Sequence, residues 1–242
     1  MQVVKRLGIL GGLSWASSLK YYEAINLEVL RLTNGQRAAD LVLWSFDFTQ
    51  FEPLIAAGDW RTIGRLLQDS ARKLIACDVK GIIIACNTIH RAVEQELFKL
   101  PVPFLHIRDC LVEELNRLDI NRVGFIGTAA TMKGDVYRNL VDSPAGVEVI
   151  LPPEELWVDI DDMIFNALCR GLRRPADYEL MRGIMRTMAS QDVRCVVLGC
   201  TELGLLEIEM PGMTLLDTTE VHARDAARWC VEATPMERLA KA

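Results

Sequence analysis

The feature that most constrains this chain is that it nearly repeats itself. Leu7-Gly8-Ile9-Leu10-Gly11-Gly12 reads much like Val123-Gly124-Phe125-Ile126-Gly127-Thr128, an offset of 116 from Leu7 to Val123. Gly81-Ile82-Ile83-Ile84-Ala85-Cys86-Asn87-Thr88 reads like Cys195-Val196-Val197-Leu198-Gly199-Cys200-Thr201-Glu202, an offset of 114. Two signals at nearly one offset imply two similar lobes, and the matched cysteine and polar residue after each apolar run weigh against chance. A chain of 242 residues has room for two such lobes.

Between these echoes, short apolar runs alternate with longer amphipathic stretches. Strands are expected at Val3–Leu10, Leu41–Phe46, Gly81–Ala85, Phe104–Ile107, Val123–Ile126, Val147–Leu151, Val193–Leu198 and Met213–Leu216. Several are Val- and Ile-rich without polar alternation, as parallel strands covered on both faces should be. Helices are expected over Ser18–Leu32, Trp60–Cys77, Ala92–Phe98, Cys110–Leu118, Glu155–Cys169 and Tyr178–Ser190, with Asp59 as an N-cap and Gly171 as a C-terminal stop. The alternation predicts an α/β fold of two pseudo-symmetric parallel-sheet lobes. Residues 1–102 plus 211–242 would form the lobe carrying Cys86, and 103–210 the lobe carrying Cys200, with the last segment packing back onto the first lobe.

Ligands of open α/β sheets bind beyond the carboxyl ends of the strands, where helix N-termini point. Four loops fall there: Gly11-Gly12-Leu13-Ser14-Trp15, Cys86-Asn87-Thr88, Gly127-Thr128-Ala129-Ala130-Thr131 and Cys200-Thr201-Glu202. If the lobes face each other, Cys86 and Cys200 stand on opposite sides of one cleft. Inverting a carbon centre requires taking a proton from one face and delivering one to the other. A thiol whose pKa is lowered by nearby donors can do both near neutral pH. Hydroxyls and amides beside the thiols, on Asn87, Thr88, Thr128, Thr131 and Thr201, suit a carboxylate and an ammonium.

Other readings of these residues are weaker. A lone cysteine at a strand end is usually a small buried hydrophobe, which is the expectation for Cys77, Cys110, Cys169, Cys195 and Cys230. Gly8, Gly11 and Gly12 lack the G-x-G-x-x-G spacing of a dinucleotide site, and no phosphate-binding G-x-x-x-x-G-K-[ST] occurs. His90, four residues after Cys86, suits a loop-tying role better than a Cys–His nucleophile pair, and His222 a structural one. With no Cys-x-x-Cys and only three histidines, a zinc site is not expected.

The motifs Gly11-Gly12-Leu13-Ser14-Trp15, Ala85-Cys86-Asn87-Thr88-Ile89-His90, Gly127-Thr128 with Thr131-Met132, Leu198-Gly199-Cys200-Thr201-Glu202 and Leu216-Asp217-Thr218 together resemble the aspartate/glutamate racemase family. The resemblance runs over essentially the whole chain, in order. It implies cofactor-independent racemisation of a small amino acid between two Rossmann-like lobes, with the active site in the cleft and a homodimer as the common assembly. It carries the catalytic pair onto Cys86 and Cys200. Substrate contacts fall on Leu13, Ser14, Asn87, Thr88, Thr128, Thr131 and Thr201, with Leu13 replacing the family's usual methionine. Asp159 falls where several aspartate-handling members carry a lysine, and Ile55 where some carry a polar contact. These departures imply a neutral or apolar amino acid as an alternative to aspartate or glutamate. Decarboxylases, hydantoin racemases and maleate isomerases of the wider superfamily are the competing enzyme readings. A non-catalytic amino-acid-binding protein is the reading from another class, and two retained thiols argue against it.

Charge and cysteine usage bound the partners and the compartment. The formal net charge is −6 with no long basic run, which argues against nucleic acid. No apolar stretch approaches the roughly 20 residues of a membrane span. The seven cysteines are irregularly spaced and no signal-peptide pattern opens the chain, so reduced thiols in the cytoplasm are expected.

Overall fold

A computed structural model of the protein describes residues 4–93, 98–138, 140 and 146–232. The chain opens with β1 (Leu7–Gly11), α1 (Trp15–Leu32), β2 (Leu41–Ser45), α2 (Glu52–Ala57), α3 (Trp60–Ala76) and β3 (Gly81–Ile84). The three strands form a parallel sheet in the order β2-β1-β3, and Phe104 extends it by a single parallel bridge to Ile82. Both faces are covered. Leu10, Ile82 and Ile84 pack against α3, while Leu7, Ile9 and Ile83 pack against α1 and a C-terminal helix. Helix α3 turns Trp60, Ile63, Leu67, Ala71 and Leu74 inward, the three-and-four spacing of an amphipathic helix, and Asp59 caps it by accepting from Thr62 N–H.

The second half repeats this plan. After α4 (Ile107–Arg117) come β4 (Arg122–Ile126), α5 (Ala129–Lys133), α6 (Asp135–Arg138), β5 (Glu148–Ile150), α7 (Trp157–Asp161), α8 (Pro175–Ser190), β6 (Cys195–Leu198), β7 (Thr214–Asp217) and α9 (Thr218–Val231). Their strands form a second parallel sheet, β5-β4-β6-β7. The correspondence is strand by strand: β2-β1-β3-Phe104 against β5-β4-β6-β7. The two-lobed α/β architecture expected from the internal echo is present.

The structure relocates the lobe boundaries. β7 pairs with β6 through Val196–Leu215 and Val197–Leu216, so 214–217 belong to the second sheet, against the expectation that everything from 211 joins the first lobe. Only α9 returns, placing Ala223, Ala226, Ala227 and Cys230 against Leu7 and Ile9. Conversely Phe104 stays with the first sheet, while α4 crosses over and buries Ile107, Leu111 and Leu115 in the second core. Each lobe therefore lends its last helix to the other, and α4 and α9 pack against each other between them.

Other expectations are also revised. The helix expected over Glu155–Cys169 is broken: α7 gives way to a widened π segment, Asp162–Ala167, then a tight turn that ends at left-handed Gly171. Of the helix expected over Ala92–Phe98, residues 94–97 lie outside the described residues. What is described there is a 3₁₀ turn, Thr88–Ala92.

All three histidines meet where the lobes join. The His90 ring centroid lies 4.7 Å from His106 and 5.8 Å from His222. A carbonyl can only accept, so His90 Nδ1–H donates to the Cys86 carbonyl at 2.7 Å, leaving Nε2 facing Ile107 N–H. By the same logic His222 Nε2–H donates to Leu105 O and Nδ1 accepts from Tyr21 Oη at 2.9 Å. His90 is thus a loop tie, and its ring bonds the cysteine's carbonyl. Burial, reinforced by the neighbouring imidazoles, lowers His90 well below its ordinary value, and burial lowers His106 and His222 to about 4.

A depressed histidine pKa leaves stability intact above the unfolded value near 6.5 and removes it as pH falls toward the folded value. For His222 alone that loss reaches roughly 3 kcal/mol by pH 4. We expect the urea midpoint to fall steeply between pH 6.5 and 4, and less steeply in His222→Gln. Parallel curves for parent and variant would contradict a neutral, buried His222.

Candidate active site

Two glycines set the loops. Gly12 has φ +74°, and a Cβ there would lie 2.2 Å from the Phe46 carbonyl oxygen, so the turn from β1 into α1 accepts only glycine. At the end of β6, a Cβ on Gly199 would stand 2.0 Å from Cζ of Phe125, so the strand runs over that ring and delivers Cys200 just beyond it. These glycines serve close backbone packing, in keeping with the absence of a dinucleotide fingerprint.

The first helix of each lobe starts with a hydroxyl cap, and both caps bond the other lobe. Ser14 caps α1, accepting from Ser17 N–H, and donates its own proton to Glu202 Oε1 at 2.9 Å. Thr128 caps α5, accepting from Thr131 N–H, and its hydroxyl meets that of Thr88 at 3.2 Å. Glu202 and Thr88 are the second residues after Cys200 and Cys86, so each lobe's cap bonds the other lobe's cysteine loop. The next polar residue of each helix repeats the pattern. Ser17 Oγ lies 3.0 Å from Thr201 Oγ1, and Thr131 Oγ1 lies 2.8 Å from Thr88 Oγ1. Lys20, one turn further along α1, pairs with Asp217 at 2.5 Å.

The thiols differ in what faces them. Cys86 accepts hydrogen bonds from the backbone N–H groups of Ile89 and Thr88, and Cys200 from that of Glu202. Cys200 Sγ also donates to Glu202 Oε2 at 3.0 Å, a bond that requires the thiol form. The expectation that nearby donors lower both pKa values is corrected, because burial overrides them. It pushes Cys86 up to about 12, with the N–H donors opposing, and pushes Cys200 well above its ordinary value, with Glu202 adding to the rise.

Cys86 and Cys200 line one enclosed cavity of about 70 Å³. Of the expected contacts, Leu13, Asn87, Thr88, Thr128 and Thr201 line it too. Ser14 and Thr131 stand behind, holding Glu202 and Thr88. Asn87 is a wall group already engaged: its Nδ2 donates to Thr218 at 3.0 Å and its Oδ1 accepts from the Tyr137 hydroxyl.

Sequence reasoning missed several lining residues. Glu202 was legible as part of a quoted motif, and Ser17 from its three-residue spacing to Ser14. Phe165 and Cys169 were not, because the π segment and the 3₁₀ turn after it, which bring them to the cavity wall, have no local signature. Cys169 corrects the expectation of a buried hydrophobe. It is exposed overall, yet its thiol faces Glu202, and burial raises it to about 12. Cys77 is exposed as well, whereas Cys110, Cys195 and Cys230 are buried as expected. Asp159 is also corrected, since it is exposed on α7 and lines no part of this cavity. Ile55 does line it.

A model of the Asp/Glu/hydantoin racemase family matches residues 10–226. The crystal structure of an Asp/Glu racemase candidate from Yersinia pestis is similar at a TM-score of 0.85 and 31% identity, over 94% of this chain and 100% of that one. An aspartate racemase homologue from Pyrococcus horikoshii OT3 is similar at a TM-score of 0.79 and 28% identity, again over 94% and 100%. A glutamate racemase from Thermus thermophilus is 30% identical over 177 residues, 69% of this chain. The chain spans about 61% of that relative's length.

The cross-lobe bonds make a measurable claim. Ser14→Ala should cost about 1 kcal/mol through the lost cap, and more through the buried carboxylate left short of a donor. In a double-mutant cycle with Glu202→Gln, urea unfolding should show a coupling above about 0.5 kcal/mol. Simple additivity would mean that the two side chains do not meet.

Proposed function

This chain belongs to the Asp/Glu/hydantoin racemase family, and from that premise we propose that it is a cofactor-independent amino-acid racemase using Cys86 and Cys200 as acid and base. The observation that carries this reading is the cavity lined by Cys86 from one lobe and Cys200 from the other, together with the side chains of Thr88, Thr128 and Thr201. A substrate α-carbon held there would present one face to each sulfur.

The surroundings suggest how the roles are divided at rest. Glu202 holds the proton on Cys200, which is therefore the acid, while Cys86, served by two N–H donors, is the base. A thiol near 12 ionises poorly at neutral pH, so the substrate must help. Its ammonium would place a positive charge beside Cys86 and lower that thiol selectively. The Thr88, Thr128 and Thr201 hydroxyls would hold the α-carboxylate and stabilise the charge that develops on it as the proton leaves. After inversion the proton sits on Cys86 and the base is Cys200. Ser14, through Glu202, would position that second thiol.

Among the described residues no helix is long and apolar enough to cross a membrane. The seven cysteines are free, which supports a reducing compartment such as the cytoplasm. We also propose a homodimer seated on α1. Trp15, Leu19, Tyr22 and Leu30 stand on one stripe of that helix, and Trp15 is 72% exposed although it adjoins Ser14. Leu19→Glu should convert a dimer to a monomer by light scattering. A parent protein that is monomeric at high concentration would remove the proposal.

The central test is isotopic. Because the equilibrium constant of racemisation is one, Cys86→Ala and Cys200→Ala must each lower kcat/KM equally in both directions, here by at least about 10²-fold. In D₂O the surviving thiolate can still exchange the α-proton of the enantiomer it faces. Each variant should therefore deuterate one enantiomer only, and the two variants opposite ones. Full racemisation by either variant would overturn the two-thiol assignment, and decarboxylated product from the parent would point to a different reaction of the superfamily.

A further inference from the structure

Beside the inner cavity lies a second space that the proposed chemistry does not use. This vestibule, about 830 Å³, shares Phe48, Ile55, Phe165, Thr128 and Ala130 with the inner cavity as a common wall. The gate is therefore mostly apolar. Charge is distributed unevenly across it. Among the described residues no lysine or arginine lines the inner cavity, whose one acidic side chain is Glu202, already held by Ser14 and Cys200. Two cations, Arg91 and Lys133, line the vestibule.

Arg91 is the better placed of the two. It follows Thr88 by three residues in the 3₁₀ turn Thr88–Ala92, and in that geometry i and i+3 eclipse, about 6 Å apart along the axis. The turn thus carries Thr88 into the inner cavity and Arg91 into the vestibule on one face. The guanidinium lies over the buried indole of Trp60, with 4.7 Å from Cζ to the ring centroid. That contact anchors it, and its N–H edge, which makes no ion pair among the described residues, suits a planar, bidentate acceptor. The vestibule's carboxylates do not occupy that edge. Asp161 accepts from Ala129 N–H at 2.9 Å, Glu52 is exposed at the start of α2, and neither forms an ion pair with Arg91.

We propose that Arg91, lying over Trp60, is a distal subsite for the side-chain carboxylate of an amino acid longer than glutamate, whose methylenes pass the Phe48–Ile55–Phe165 gate. The proposal rests on the racemase reading for the position of the α-carbon. A short dicarboxylate would leave its second carboxylate in the cation-free inner cavity or against the apolar gate, an unpaired charge taken out of water. Three or four methylenes carry the charge through the apolar constriction to the guanidinium. Lys133, exposed on α5, adds positive potential at the rim.

The experiment is a chain-length series on the full-length protein: L-aspartate, L-glutamate, L-α-aminoadipate and L-α-aminopimelate, with L-norleucine as the uncharged match to α-aminoadipate. Racemisation is followed by α-deuterium exchange, and α-aminoadipate binding by calorimetry. We expect kcat/KM for α-aminoadipate to exceed that for aspartate and norleucine by at least about 10-fold. Arg91→Met should erase that preference, with Arg91→Lys restoring part of it. Racemisation that favours norleucine or aspartate, or an α-aminoadipate preference that survives Arg91→Met, overturns the subsite and leaves the racemase reading standing. Calorimetric binding of α-aminoadipate that is lost in Arg91→Met, with no exchange on any amino acid, supports the subsite and overturns the racemase reading. Absence of both binding and turnover of the long acids overturns the subsite.

Discussion

The site depends on four hydroxyls that serve two masters. Ser14 and Thr128 cap the first helices of their own lobes, and each also bonds the residue two beyond the other lobe's cysteine. Ser17 and Thr131 repeat the connection one helical turn further on. A cap must sit where its helix begins, so its position is fixed by the backbone of its own lobe. Because the same oxygen is bonded to the opposite cysteine loop, the distance between the two halves of the cavity is tied to helix geometry. Loop flexibility has little part in setting it.

That coupling is reinforced by the exchange of terminal helices. α4 leaves the first sheet and completes the second core, and α9 leaves the second sheet and completes the first. Neither lobe can bury its own apolar faces alone, since Leu7 and Ile9 would lose α9, and Val123 would lose α4. The three histidines sit at this crossing, neutral and bonded, with His90 linking the Cys86 carbonyl to the first turn of α4. The same contacts that hold the lobes together thus also hold the backbone beneath one thiol.

Pseudo-symmetry ends at the atoms that face the sulfurs. Thr88 and Glu202 are equivalent positions and both offer a backbone N–H, yet Glu202 adds a carboxylate that accepts the hydrogen bond of the Cys200 thiol. In the proposed reaction an enantiomeric pair calls for mirrored proton transfers, and burial keeps both thiols protonated until the substrate binds. The cost is a low resting fraction of thiolate in so buried a cavity, which makes the charge of the substrate itself part of the acid–base balance.

Much of this was legible in the sequence. The Gly-rich and Cys-polar echoes at offsets of 116 and 114 determined two parallel sheets and which loops would lie at their carboxyl ends, because a covered parallel strand must read as an unbroken apolar run. Asp59 and Gly171 announced their caps through local backbone chemistry. What the sequence did not determine was where each lobe ends, since nothing in the composition of 104–117 or 214–231 says which core their apolar faces will meet. The π segment and the turn after it, which bring the partly exposed Phe165 and Cys169 to the cavity wall while α7 leaves Asp159 on the surface, are likewise a result of packing. Local propensity reads that stretch as one regular helix, and only the fit of α7 against α5 and the second core widens it. The ionisation of the thiols was decided last and at the longest range. The N–H donors that favour a thiolate are local, but the burial that outweighs them exists only once both lobes have closed over the cavity.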